Sequence, residues 1–195
     1  MTTATATKTR PRARIRATPA DLEAMPDGEA RYELVDGEIR ERSMSAESNY
    51  VGGNIFGHLW TFVRAHNLGH VFADGCGIAV FPEPNPLRVS DGAFVAAGRL
   101  PGDRPPSHGY LKLAPDLVVE VVSPNDNAND IQQKVEDYLK AGVRLAWVAY
   151  PDTRFVHAFA ADGTVRKFGP EADLDGGDVL NGFSVAVAQL FPQPA

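Results

Sequence analysis

Seven residues in the middle of the chain, Asp-Leu-Val-Val-Glu-Val-Val at 116–122, restrict the fold more than any other stretch. From Leu117 to Val122 every residue but Glu120 is aliphatic. Alternate side chains of a strand share a face, so Asp116, Val118, Glu120 and Val122 point one way and Leu117, Val119 and Val121 the other. Aliphatic residues on both faces predict a central strand covered on each side. That requires a sheet with a layer above it and a layer below. It also puts Glu120 in the interior. A buried, ionised carboxylate without a partner is strongly destabilising, so Glu120 must be protonated, paired with a cation or bound to a metal.

The segment that follows offers the cation. Ser123-Pro124 breaks the strand, a helix is expected over 128–141, and Gly142 is placed to stop it. On a wheel of about 100° per residue with Ile131 at zero, Val135 falls near ~40°, Tyr138 near ~-20° and Leu139 near ~80°. Lys134 falls near ~-60° on the same wheel, at the edge of the apolar stripe, while Gln133 and Lys140 face water. Lys134 is thereby laid against the sheet within reach of Glu120. Two readings stay open: a structural ion pair with a snorkelling lysine stem, or a lysine kept in place for chemistry.

The remaining elements read as hairpins around this strand–helix–strand unit. Thr18–Met25 begins like a short helix, with Thr18 as N-cap and Pro19 in the first turn. RYELVDGEIRE reads as two strands around Asp36-Gly37. A helix is expected over 47–66, where Val51, Ile55, His58, Leu59 and Phe62 recur at helical spacing, with Gly69 closing the segment. Strands are expected at 71–81 and 87–95, joined by the PEPNP loop, with an exposed loop at 98–113. Further strands follow in RLAWVAY, RFVHAFA, TVRKF and Phe183–Val187. The whole is a mixed α/β domain.

The second acid is Asp91, in RVSDGAFV. In strand register it shares a face with Val89, Ala93 and Val95, although an acid before glycine more often marks a turn or bulge. If this strand lies beside 116–122, Asp91 and Glu120 converge. Two carboxylates form a hard-oxygen site suited to Mg²⁺ or Mn²⁺. Such an ion activates water and stabilises charge on a phosphoryl group, with a nearby lysine to orient the water.

Composition narrows the function classes. The 195 residues suit one domain with a substantial core. No apolar run approaches the ~20 residues of a membrane span, and no secretory signal is evident. The single cysteine, Cys76, fits a reducing cytoplasm and excludes a multi-thiolate zinc site. The net charge is -6, but Lys8, Arg10, Arg12, Arg14 and Arg16 all lie in the first 17 residues, where no acid occurs. The remaining chain carries 14 basic and 25 acidic side chains, or -11. Residues 1–17 read as a disordered basic tail, and 18–195 as a single domain. An acidic body is an unpromising surface for DNA, whose phosphates call for clustered Lys and Arg.

At these residues the chain resembles a known family. The blocks RYELVDGEI (31–39), RVSDGAFV (88–95), APDLVVEVVSP (114–124) and KVEDYLKAGVRLAWVAYP (134–151) occur in the order seen in the Uma-two family of restriction endonucleases, a branch of the PD-(D/E)xK nuclease-like superfamily. The resemblance spans roughly residues 18–192. It implies a restriction-endonuclease-like core, a central mixed β-sheet flanked by helices with added β-hairpins. It implies a Mg²⁺ or Mn²⁺ site at Asp91 and Glu120. The superfamily lysine usually stands two residues after the second acid, where this chain has Val122. The family pattern moves that lysine to the following helix, onto Lys134. Glu33 matches a further acidic position that assists metal or water; its alternative is a hairpin acid paired with Arg31 or another base. Asn49 stands where members often carry histidine, and Tyr150 where Asp is common. Asp116, the Asp of a literal Pro-Asp pair, competes with Asp91, but lies four residues from Glu120, about 13 Å along a strand and too far to share one ion.

The function implied is a metal-dependent endonuclease with Asp91, Glu120, Lys134 and Glu33 as catalytic residues. Its substrate would be nucleic acid, DNA in the first place, and a homodimer and a cytoplasmic setting are expected. The competing expectation is a catalytically inactive binding or scaffold module on the same fold. Other signals carry little. His66 and His70 flank a helix break and give no HExxH pattern. His58 reads as a core histidine, and Trp60 and Trp147 as core aromatics. No Walker A or GxSxG sequence occurs.

Overall fold

The computed structural model describes residues 16–24, 31–35, 37–42, 44–81 and 87–193. The expected basic tail falls almost wholly outside these residues, as do Asp36 and the PEPNP loop. Ala17 lies within them, and its N–H donates to the Gly37 carbonyl at 2.9 Å.

Helix α1 (Pro19–Glu23) is closed by Thr18, whose hydroxyl accepts from the Asp21 N–H while the Asp21 carboxylate accepts from the Thr18 N–H. Strands β1 (Arg31–Val35) and β2 (Glu38–Arg42) form the expected antiparallel hairpin. Helix α2 (Ala46–His66) starts at Ser45 and stops at Asn67, which takes the left-handed conformation. Gly69 therefore does not end the helix; it opens β3 (Gly69–Phe72).

The two strands expected at 71–81 and 87–95 are each divided. A turn at 73–75 separates β3 from β4 (Cys76–Ile78), and a bend at Asp91 separates β5 (Arg88–Ser90) from β6 (Gly92–Ala96). The cause is a change of partner: β5 pairs with β4, whereas β6 pairs with β3 and β7 (Leu117–Val121). Helix α3 (Ala128–Lys140) follows β7 and crosses to β8 (Leu145–Tyr150), parallel to β7. Gly142, at φ +102, ends α3 as expected. Strands β9 (Phe155–Ala160) and β10 (Val165–Phe168) extend the sheet antiparallel. The hairpin β11 (Asp173–Gly176) and β12 (Leu180–Ala186) completes the fold.

The central sheet has six strands in the order β10-β9-β8-β7-β6-β3, with one parallel pair. Its two faces are covered as the 116–122 pattern requires. Leu117, Val119 and Val121 pack with Val51, Ile55, Leu59 and Val63 of α2 and with Leu174, Leu180 and Phe183 of the last hairpin. Val118, on the other face, packs with Ile131, Val135 and Tyr138 of α3. Trp147 is fully buried, as expected. Trp60 is not: it is 46% exposed, on the solvent side of α2 with the Arg64 guanidinium 5.2 Å from its ring. His58 is only half-buried. Among the described residues, no helix is long and apolar enough to cross a membrane.

Candidate metal centre

The site forms where three elements meet at one end of β7. Asp91 occupies the bend between β5 and β6. Its backbone N–H donates to the Val119 carbonyl at 3.0 Å, and its Oδ2 accepts from the Val121 N–H at 2.6 Å. The bend that ends one pairing and begins another thus fixes the Asp91 carboxylate beside β7, next to the residue after Glu120. Both acids are buried, Asp91 to 6% exposure and Glu120 to 2%.

Glu120 points to the α3 face. Lys134 Nζ donates to its Oε2 at 3.3 Å, and the Tyr138 hydroxyl donates to its Oε1 at 2.6 Å. Lys134 is itself 7% exposed and lies 3.1 Å from Glu33 Oε2. That second contact is an ion pair; among the described residues Glu33 Oε2 accepts no hydrogen bond. Glu33 is carried by β1 directly across the hairpin from Arg40. The ammonium therefore bridges two acids from separate elements.

Asp91, Glu120, Lys134 and Glu33 all line one cavity of about 440 Å³. Arg40, Asp126 and Asp130 also line it. Arg40 is exposed. The loop after β7 is held by one local bond and one from α2: Asp126 Oδ2 accepts from the Ser123 N–H at 2.7 Å, and the Ser48 hydroxyl donates to the Val122 carbonyl at 3.2 Å. Asn127 caps α3 by accepting from the Asn129 N–H. Asn49 is exposed and lines a smaller cavity that Asp91 also borders. Tyr150 packs against His157 with ring centroids 4.9 Å apart and the planes tilted by 53°.

Asp116 is occupied elsewhere. Its Oδ2 accepts from the Ala96 N–H at 2.8 Å and lies 2.6 Å from Arg99, with Arg144 3.7 Å from its Oδ1. It ties the start of β7 to β6. Sequence reasoning also missed four residues of the site: Arg40, Asp126, Asp130 and Tyr138. Asp126 and Asp130 carry no periodic signal that separates them from other polar residues near a helix start. The helical spacing places Tyr138 in the apolar stripe for its ring; a phenol that needs a hydrogen-bond partner, one turn beyond Lys134, is the available clue.

The donor set fits a hard divalent cation. It is made of carboxylate oxygens with no sulfur or imidazole, and Mg²⁺ is commonly held by one or two carboxylates with water and phosphate filling the rest. Among the described residues, no group of three or more His, Cys, Asp or Glu side chains is arranged around one ion, so protein ligation would stop at Asp91 and Glu120.

Comparison with known proteins agrees with this architecture. The crystal structure of "a putative nuclease belonging to DUF820" from Anabaena variabilis ATCC 29413 superposes with a TM-score of 0.74 at 18% identity, covering 89% of this chain and 97% of that one. At that identity the likeness establishes the fold. No curated protein matches. The Uma2 family model, described as "Putative restriction endonuclease", matches residues 19–188. With a match over most of its length, and the restriction-endonuclease-like sheet beneath it, the chain belongs to the Uma2 family.

Proposed function

We propose that the protein is a metal-dependent endonuclease that hydrolyses phosphodiester bonds in nucleic acid, DNA in the first place. The observation that carries this reading is the placement of two buried carboxylates, Asp91 and Glu120, around one cavity with a buried lysine 3.3 Å from one of them. Asp91 and Glu120 would hold Mg²⁺ or Mn²⁺. Bound there, the ion supplies an activated water and offsets charge on the phosphoryl group. Lys134 orients the attacking water and faces the charge that develops on the phosphoryl oxygens. Glu33 holds Lys134 from the opposite side and keeps its ammonium in the cavity. Arg40, exposed on the same cavity, is the cation a neighbouring phosphate meets. Water oxygen bonds to phosphorus as the bond to the 3′ oxygen breaks, and the 3′ oxygen takes up a proton. The products are a 5′-phosphate and a 3′-hydroxyl.

Plasmid and oligonucleotide cleavage with Mg²⁺ or Mn²⁺ tests the assignment. Asp91→Ala and Glu120→Ala should each lower the rate by on the order of a hundredfold or more, as loss of a direct contributor to transition-state charge stabilisation does. Cleavage that survives both substitutions would overturn it. A non-catalytic binding module is the second reading. It is favoured by the five carboxylates that line the cavity against two cations, and it predicts neither cleavage nor Mn²⁺ uptake by the wild-type chain.

One cavity supplies one such centre, and cutting both strands of a duplex calls for two. We therefore propose a homodimer, in a cytoplasmic setting that accords with the lone cysteine. Light scattering should return twice the 21.0 kDa chain mass; a monomer at micromolar concentration would rule the dimer out.

A further inference from the structure

We propose that Tyr138 is a positioning residue of the metal centre, holding Glu120 in its ligating orientation through the phenolic hydroxyl. This rests on the metal-binding reading above. The Tyr138 side chain is fully buried, with its ring edge-on to Phe81 at 5.8 Å between centroids. A buried phenol needs a partner for its O–H. Here that partner is Glu120 Oε1, at 2.6 Å, a length typical of a charge-assisted bond.

The arrangement is specific to α3. Lys134 and Tyr138 stand one helical turn apart on the same face, and each takes one oxygen of the same carboxylate. Two fixed donors set the plane of a glutamate carboxylate that would otherwise turn about its last side-chain bond. The donors are not equivalent. The Lys134 ammonium repels an incoming cation, whereas the neutral phenol orients the carboxylate and leaves its charge available to the ion. Tyr138 therefore supports affinity without opposing the guest, and hydrogen bonds to ligating carboxylates of this kind typically change metal affinity by about 10–100-fold when lost.

The test uses the full chain and Mn²⁺ alone, titrated by calorimetry, with thermal melts of each variant. Tyr138→Phe keeps the ring and removes the hydroxyl; its Kd for Mn²⁺ should rise about tenfold or more while a cooperative melt is kept. Phe81→Leu loosens the ring contact and leaves the hydroxyl; it should lower the melting temperature and leave the Kd within about twofold, because the Tyr138–Glu120 bond persists. If wild type binds Mn²⁺ and Tyr138→Phe binds it equally well, the positioning role is wrong and the metal reading stands. If wild type takes up no Mn²⁺, the metal reading falls and this inference with it. Should Tyr138→Phe fail to fold, Phe81→Leu decides: a Kd that weakens along with the packing makes Tyr138 a core residue only.

Discussion

Burial alone pushes the Cys76 thiol up to about 12 from an ordinary 9.0. At neutral pH the group is a thiol, and the thiolate is the reactive form. Cys76 is half-buried, so iodoacetamide at pH 8 should label the native protein several-fold more slowly than the protein unfolded in urea; equal rates in the two states would contradict the raised pKa. The sign of the linked stability follows. The folded state keeps its proton where the unfolded state has lost it, so this contribution is present below about pH 9 and is lost as pH rises toward 12. Among the site residues, Glu120 and Lys134 were legible because periodicity fixes which face each occupies, and the helix wheel put Lys134 on the sheet side. What a side chain's polar tip meets is not periodic. Hence Tyr138 read as core although its hydroxyl serves the site, and Trp60 read as core although its ring lies on the open side of α2.

Helix α3 owes its seating to an ion pair as well as to its apolar stripe. Arg88 of β5, 2% exposed, donates from Nε to Asp137 Oδ2 at 3.1 Å and makes a second contact to the same oxygen. Asp137 lies one residue before Tyr138 and three after Lys134, so this pair sets the height of both donors relative to the sheet. Removing one partner leaves a buried charge uncompensated. Asp137→Ala, which strands the buried Arg88 guanidinium, should therefore cost about 3–5 kcal/mol of folding stability, measured by urea denaturation; a loss below about 1 kcal/mol, the ordinary value of an exposed pair, would show that the helix is seated by its apolar face alone. At this scale the strand–helix–strand unit was readable in advance, since a doubly apolar strand followed by a helix and another apolar strand dictates a parallel crossover. The division of the strands at 73–75 and at Asp91 was not, because a change of pairing partner leaves no mark in alternation. Nor was β11: Asp-Leu-Asp-Gly has few strand formers, and only Leu174 and Gly176 are buried. Its existence depends on β12 lying beside it.

Across the whole molecule the layers could be inferred from one strand, whereas the approach of a polyanion could not. The chain beyond residue 17 carries -11, and the cavity itself is lined by more acids than bases. A phosphate backbone meets a field of its own sign until it is close. Inside, the acids are nonetheless partly offset. The Lys134 ammonium sits between Glu33 and Glu120, and the Val121 amide holds Asp91. The acids thus have an internal counter-ion built into the polypeptide. In small domains whose ligands would repel one another without their ion, the ion is a folding reagent. Here the Lys134 ammonium already stands between two of the acids, so on the metal-binding reading proposed above the enclosure would be ready-made before any ion arrived.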